Sequence, residues 1–180
     1  MALEKKELYT TEYIEKLPDG ERAELINGDV YLMAPPNTMH QRISGFLHIK
    51  IGGYIHQKKG RCEIFAAPFA VYLNDDDYNY VEPDISVICD SDKIDRKGCH
   101  GAPDFIVEIV SPSSRQMDYL TKLIKYKQSG VREYWIVDPQ DKTIHLYYFE
   151  KEMIEHYTFR DKVKVGIYED LEIDFAELGV

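Results

Sequence analysis

Apolar positions along the chain follow two rhythms, one close to four residues and one close to two. Thr10 or Thr11 can cap a short helix with Glu12 in its first turn, and Pro18-Asp19-Gly20 ends it. RAELINGDVYLMAP then sets Asn27-Gly28 between two β-favouring segments, which predicts a two-residue hairpin closed by Pro35-Pro36. From about Thr38 to Lys58, Ile43, Leu47, Ile51 and Ile55 recur at every fourth position, one face of an amphipathic helix that Gly52-Gly53 weakens locally.

The remainder is strand-rich. CEIFAAPFAVYL predicts two short strands broken at Pro68, and YVEPDISVICD predicts one strand after an acidic turn at Asp75–Asp77. SDKIDRKGCHGAP is a polar loop. DFIVEIVS is almost continuously β-branched or apolar, as expected near a sheet centre. Ser111-Pro112-Ser113-Ser114 ends that strand, and a helix from about Arg115 to Gln128 stops at Ser129-Gly130. VREYWIVDP is another buried strand; its Tyr134-Trp135 reads as core, since both rings bury large areas. TIHLYYFEK and EMIEHYTFR form an antiparallel pair, and LEIDFAELGV finishes the domain.

This order predicts a single α/β domain over residues 1–180. Its mixed central β-sheet is flanked by helices, with an N-terminal hairpin and a C-terminal antiparallel extension. The unit from Asp104 to Asp138 is long enough for a right-handed parallel crossover.

Composition adds constraints. A hydrophobic content of 44% with 30% charged residues fits a soluble globular protein. No apolar run approaches the roughly 18 residues of a membrane span, and MALEKKELYTTEY lacks a signal-peptide core. Cys62, Cys89 and Cys99, an odd count without a secretion signal, predict reduced thiols in a cytoplasm. Cys99-His100 resembles half a zinc site without a partner pair. The net charge of −10 argues against a general nucleic-acid binder, but basic residues cluster in two stretches. Residues 41–62 hold Arg42, Lys50, Lys58, Lys59 and Arg61 with no acid; residues 115–132 hold Arg115, Lys122, Lys125, Lys127 and Arg132 against Asp118. These stretches could attract DNA phosphates or could be solvated helix faces.

The chemistry lies in two carboxylates. Asp84 in VEPDISVIC and Glu108 in FIVEIVSPSS each sit in an apolar stretch, where a lone charge is costly unless paired or metal-bound. On neighbouring strands they could converge on one Mg2+ (or Mn2+), an ion that takes hard oxygen ligands. The carbonyl of Ile109 and the carboxylate of Glu24, on the hairpin's first strand, could add oxygens. Phosphodiester hydrolysis also needs a positive group near the developing charge. Asp118, Lys122 and Tyr126 follow at i, i+4 and i+8 on one helix face, making Lys122 the best-placed cation. His40 and Gln41 open the long helix, where His40 could position water.

The order PD, then E-x-hydrophobic, SPSS, D-x-x-x-K, Y and GVREYWIVDP closely resembles the Uma-two family of restriction endonucleases, a branch of the PD-(D/E)-x-K nuclease superfamily. ELINGDVYLMAP and the His40-Gln41 helix start match as well, so the resemblance spans roughly residues 24–139. It implies a restriction-endonuclease-like fold and a magnesium-dependent endonuclease, with dimers common in the superfamily. One departure matters. The superfamily lysine two residues after the second acid is Val110 here, an apolar residue that can neither orient water nor stabilise charge. Either its role has moved to Lys122, as the same replacement across the Uma-two pattern suggests, or the domain binds DNA or a protein partner without cutting.

Overall fold

The computed structural model describes residues 7–74 and 76–180; residues 1–6 and Asp75, the first aspartate of the expected acidic turn, lie outside them. Helix α1 (Thr11–Glu15) leads into the hairpin β1 (Ala23–Ile26) and β2 (Asp29–Leu32), then α2 (Thr38–Lys58). Strands β3 (Glu63–Ala66), β4 (Val71–Tyr72), β5 (Tyr80–Val81), β6 (Ile85–Ile88), β7 (Cys99–His100) and β8 (Phe105–Ile109) follow. A π-helical turn, Met117–Lys122, runs into α3 (Leu123–Ser129). The chain ends with β9 (Glu133–Asp138), β10 (Thr143–Tyr148), β11 (Met153–Thr158), β12 (Lys162–Lys164) and β13 (Glu172–Asp174).

The main sheet has six strands in the order β11-β10-β9-β8-β6-β3 and a smaller one five, β2-β1-β5-β4-β7. Strands β8 and β9 pair in parallel across the expected crossover, whereas β6 runs antiparallel to β8. The central sheet is therefore mixed and flanked by helices, a restriction-endonuclease-like α/β fold. Alternation along β8 sorts side chains to two faces. Phe105, Val107 and Ile109 meet the α2 stripe of Ile43, Leu47, Ile51 and Ile55 on one face. Ile106 and Val110 meet Tyr126, Tyr134 and the smaller sheet on the other. Burying each large apolar side chain of that stripe contributes about 1.5–3 kcal/mol. Tyr134 and Trp135 are fully buried, in keeping with a core role.

Two details decide where the site forms. Asn27 (φ 52°) and Gly28 (φ 81°) adopt the left-handed conformation at both turn positions, so the hairpin is the tight form that Asn-Gly favours. Asn37 caps α2 by accepting the His40 N–H at 2.9 Å, which fixes the turn carrying His40.

Three expectations change. YVEPDISVICD is not one strand: β5 belongs to the smaller sheet and β6 to the main sheet, and Glu82-Pro83-Asp84 crosses between them. Pro83 has no N–H for a ladder, so pairing stops there. Cys62 and Cys89 are not reduced thiols but a disulfide. They lie one step beyond the Glu63↔Ile88 pair of β3 and β6, a register that a 27-residue separation conceals. The expected polar loop SDKIDRKGCHGAP carries β7, paired in parallel with β4, where Cys99 is free and buried and His100 stacks on Tyr72. No helix among the described residues is long and apolar enough to cross a membrane.

A methyl group added at Gly28 would come within 2.9 Å of the Leu8 side chain, in a backbone conformation that L-residues resist. Gly28→Ala is expected to cost about 1–3 kcal/mol in urea denaturation, and an unchanged midpoint would contradict this account of the turn.

Candidate active site

The break at Pro83 puts Asp84 at the entry to β6, one step beyond the Ile85↔Val107 pair and so across from Glu108 on β8. Asp84 Oδ2 accepts the Ile109 N–H at 2.7 Å and lies 3.0 Å from His40 Nε2. The Ile109 contact thus runs through its N–H. Three elements therefore aim this carboxylate: β6 carries it, β8 supplies an amide and the first turn of α2 supplies an imidazole. His40 is buried, and its Nδ1 has no hydrogen-bond partner among the described residues. Gln41 is exposed and forms no hydrogen bond with the carboxylates among the described residues.

Glu108 points to the face shared with Ile106 and Val110, into the space beneath the π-helical turn. Lys122 Nζ lies 2.8 Å from Glu108 Oε1, 2.8 Å from Glu24 Oε2 and 3.8 Å from Asp118 Oδ1. The Tyr126 hydroxyl donates to Glu108 Oε1 at 2.6 Å. The backbone N–H of Glu82 donates to Glu24 Oε1 at 3.1 Å, and Glu82 is itself held by Arg22 and by the Tyr80 hydroxyl. Tyr134 donates its hydroxyl to the Asp118 carbonyl at 3.1 Å. The i, i+4, i+8 face read from the sequence is therefore real: Asp118, Lys122 and Tyr126 are all buried, Lys122 and Tyr126 reach Glu108, and Asp118 lies beside Lys122. A π turn inside a helix often marks a functional site, and this one carries both Asp118 and Lys122. The Glu82 amide and Arg22 are supports that sequence reasoning missed; the only signal was their adjacency to Asp84 and Glu24.

Electrostatics follow from burial. Burial pushes the Glu108 pKa well above the usual carboxylate range; Lys122 opposes this, while Asp84, Asp118 and Glu24 add to it. Burial likewise lifts Asp118 to about 6, again against Lys122. Burial alone would lower Lys122, but Glu108, Glu24 and Asp118 outweigh it and hold the ammonium charged. Four carboxylates thus share one ammonium and one imidazole, an excess of negative charge that a cation would neutralise. Their oxygens are the kind of hard donor that Mg2+ or Mn2+ prefers. Among the described residues, no three His, Cys, Asp or Glu side chains form a ready-made metal cage. The ammonium wedged between Glu24 and Glu108 is one physical reason.

A family model described as "Putative restriction endonuclease", Uma2, matches residues 10–175. The chain belongs to the Uma2 family. Among solved structures, it is similar to a protein from Anabaena variabilis ATCC 29413 described as "a putative nuclease belonging to DUF820", at 20% identity and a TM-score of 0.76. That match covers 94% of this chain and 96% of the other, and at this identity it speaks for the fold. No curated protein matches the chain. Membership in Uma2 makes this a nuclease-superfamily domain; its second acid is followed by Ile109-Val110, and Lys122 reaches that acid from the helix.

Removing the lysine leaves buried carboxylates uncompensated. Lys122→Met is expected to destabilise the fold by about 3–5 kcal/mol at pH 8 in metal-free buffer. Glu108 and Asp118 titrate above their unfolded values, so the folded state binds more protons, and stability falls as pH rises through their folded pKa values. The cost of Lys122→Met should therefore shrink at pH 5. Equal losses in urea denaturation at both pH values would contradict the charge balance described.

Proposed function

We propose that the protein is a metal-dependent endonuclease that hydrolyses DNA phosphodiester bonds. The observation that carries this reading is the Lys122 ammonium 2.8 Å from Glu108, on the sheet face where Val110 leaves the superfamily lysine missing. Asp84 and Glu108 hold Mg2+ or Mn2+, with Glu24 and the Ile109 carbonyl as further oxygen donors. A metal held there would polarise the scissile phosphate and lower the pKa of a water. Lys122 stabilises the charge that builds on the phosphate oxygens and the attacking water. His40 and the Ile109 amide orient Asp84, Tyr126 orients Glu108, and Glu108, Glu24 and Asp118 together keep Lys122 charged.

DNA reaches the site through the basic stretches 41–62 and 115–132. Much of their charge is already paired: Lys50 with Glu177, Lys58 with Asp170, Arg115 with Asp138 and Asp141, and Arg132 with Asp104 and Glu150. Arg42, Lys59, Arg61 and Lys127 form no ion pair among the described residues and carry the phosphate contacts in this reading. A homodimer, in which two sites address two strands, belongs to the same proposal.

A second reading is a domain that binds DNA or a protein partner without cutting. It is favoured by the same lysine, which already ion-pairs with Glu24 and Glu108, and by the net charge of −10. Plasmid cleavage in Mg2+ or Mn2+ separates the two. The nuclease reading predicts cleavage reduced at least ~100-fold by Asp84→Ala, Glu108→Ala or Lys122→Ala, in variants whose folding is checked by circular dichroism. DNA that is bound but never cut with any divalent metal would leave only the second reading.

A further inference from the structure

Away from the carboxylate site, β10 and β11 bring two imidazoles together. His145 and His156 are directly paired across the two strands, and their Nδ1 atoms lie 2.7 Å apart. His145 Nε2 lies 3.3 Å from the Thr143 hydroxyl. If its Nε2–H donates there, Nδ1 is left as a bare lone pair, the tautomer a metal-binding histidine needs when its other nitrogen is held by a hydrogen bond. The His156 Nδ1–H then donates to that lone pair. Neither nitrogen is sealed off, because His156 is exposed and His145 half-buried. Tyr119, on the π-helical turn, packs edge-on against His145 at 5.3 Å, and Arg115 ion-pairs with Asp138 and Asp141 nearby.

From this geometry we propose that the His145–His156 pair is a second cation site, selective for a nitrogen-preferring divalent ion such as Cu2+ or Ni2+. The spacing sets the class. With metal–nitrogen bonds of about 2.0–2.1 Å, two nitrogens at right angles on one ion lie about 2.9 Å apart, and at a tetrahedral angle about 3.4 Å. The pair needs to open only slightly for the tetragonal geometry that Cu2+ and Ni2+ accept, and more for tetrahedral Zn2+. On binding, the ion replaces the shared hydrogen. The proton leaving His156 Nδ1 is balanced by protonation at its exposed Nε2, so both rings remain neutral ligands. Water fills the other positions. Mg2+, which prefers oxygen, has no advantage here.

The test titrates the full chain with Cu2+ in excess Mg2+, followed by calorimetry and electron paramagnetic resonance. One site with two nitrogen ligands is expected, at least about 10-fold weaker in His145→Gln and in His156→Gln, and unchanged in His56→Gln on the exposed end of α2. Thr143→Val, which keeps both rings but removes the hydroxyl, should weaken binding several-fold. The proposal is overturned if no Cu2+ binds, or if both glutamine variants, folded by circular dichroism, bind it as the parent does.

Discussion

A buried ammonium holds together three parts of the chain that are far apart in sequence. Lys122 reaches from the π-helical turn to Glu24 on the hairpin and Glu108 on the central strand, with Asp118 one turn before it. Burying these carboxylates without a partner would cost several kcal/mol each. The positions of hairpin, sheet and helix are therefore coupled: a hairpin out of register would strand Glu24, and a helix rotated by one residue would strand Glu108. The Glu82 amide and the Tyr126 hydroxyl add directed hydrogen bonds that fix which oxygen faces which partner. The same coupling gathers more acids than the single lysine can balance.

Much of this was legible because the residues that make the site obey local rules. Glu108 interrupts an apolar strand, so a sheet-centre position demanded a partner for it. Asp118, Lys122 and Tyr126 share a helix face by spacing alone, and the structure brings Lys122 and Tyr126 to Glu108 with Asp118 beside Lys122. The α2 stripe and the Asn-Gly hairpin appear at the expected positions for the same reason: helical period and left-handed turn chemistry act over a few residues. What was not legible depends on long-range register. The exchange of sheets at Pro83, the Cys62–Cys89 bond and the meeting of His145 with His156 each require knowing which strand lies beside which. Gln41 shows the limit of reading a motif by adjacency: the helix turns it to solvent while its neighbour His40 reaches Asp84.

The surface tells a similar story. A count of basic residues in two stretches overstates their free charge, since acids from distant segments fold against Lys50, Lys58, Arg115 and Arg132. With Lys50, Lys58, Arg115, Lys122 and Arg132 already ion-paired, any phosphate contact from these two stretches depends on their remaining cations.

The central claim is that Lys122 serves beside a metal held by Asp84 and Glu108. A crystal soaked in Mn2+ and measured at the manganese edge tests it directly. The account predicts an anomalous peak bridging Asp84 and Glu108, with the Lys122 ammonium still within hydrogen-bond reach of Glu108. A soaked crystal with no peak between these acids, or with Lys122 turned away from them, would contradict it.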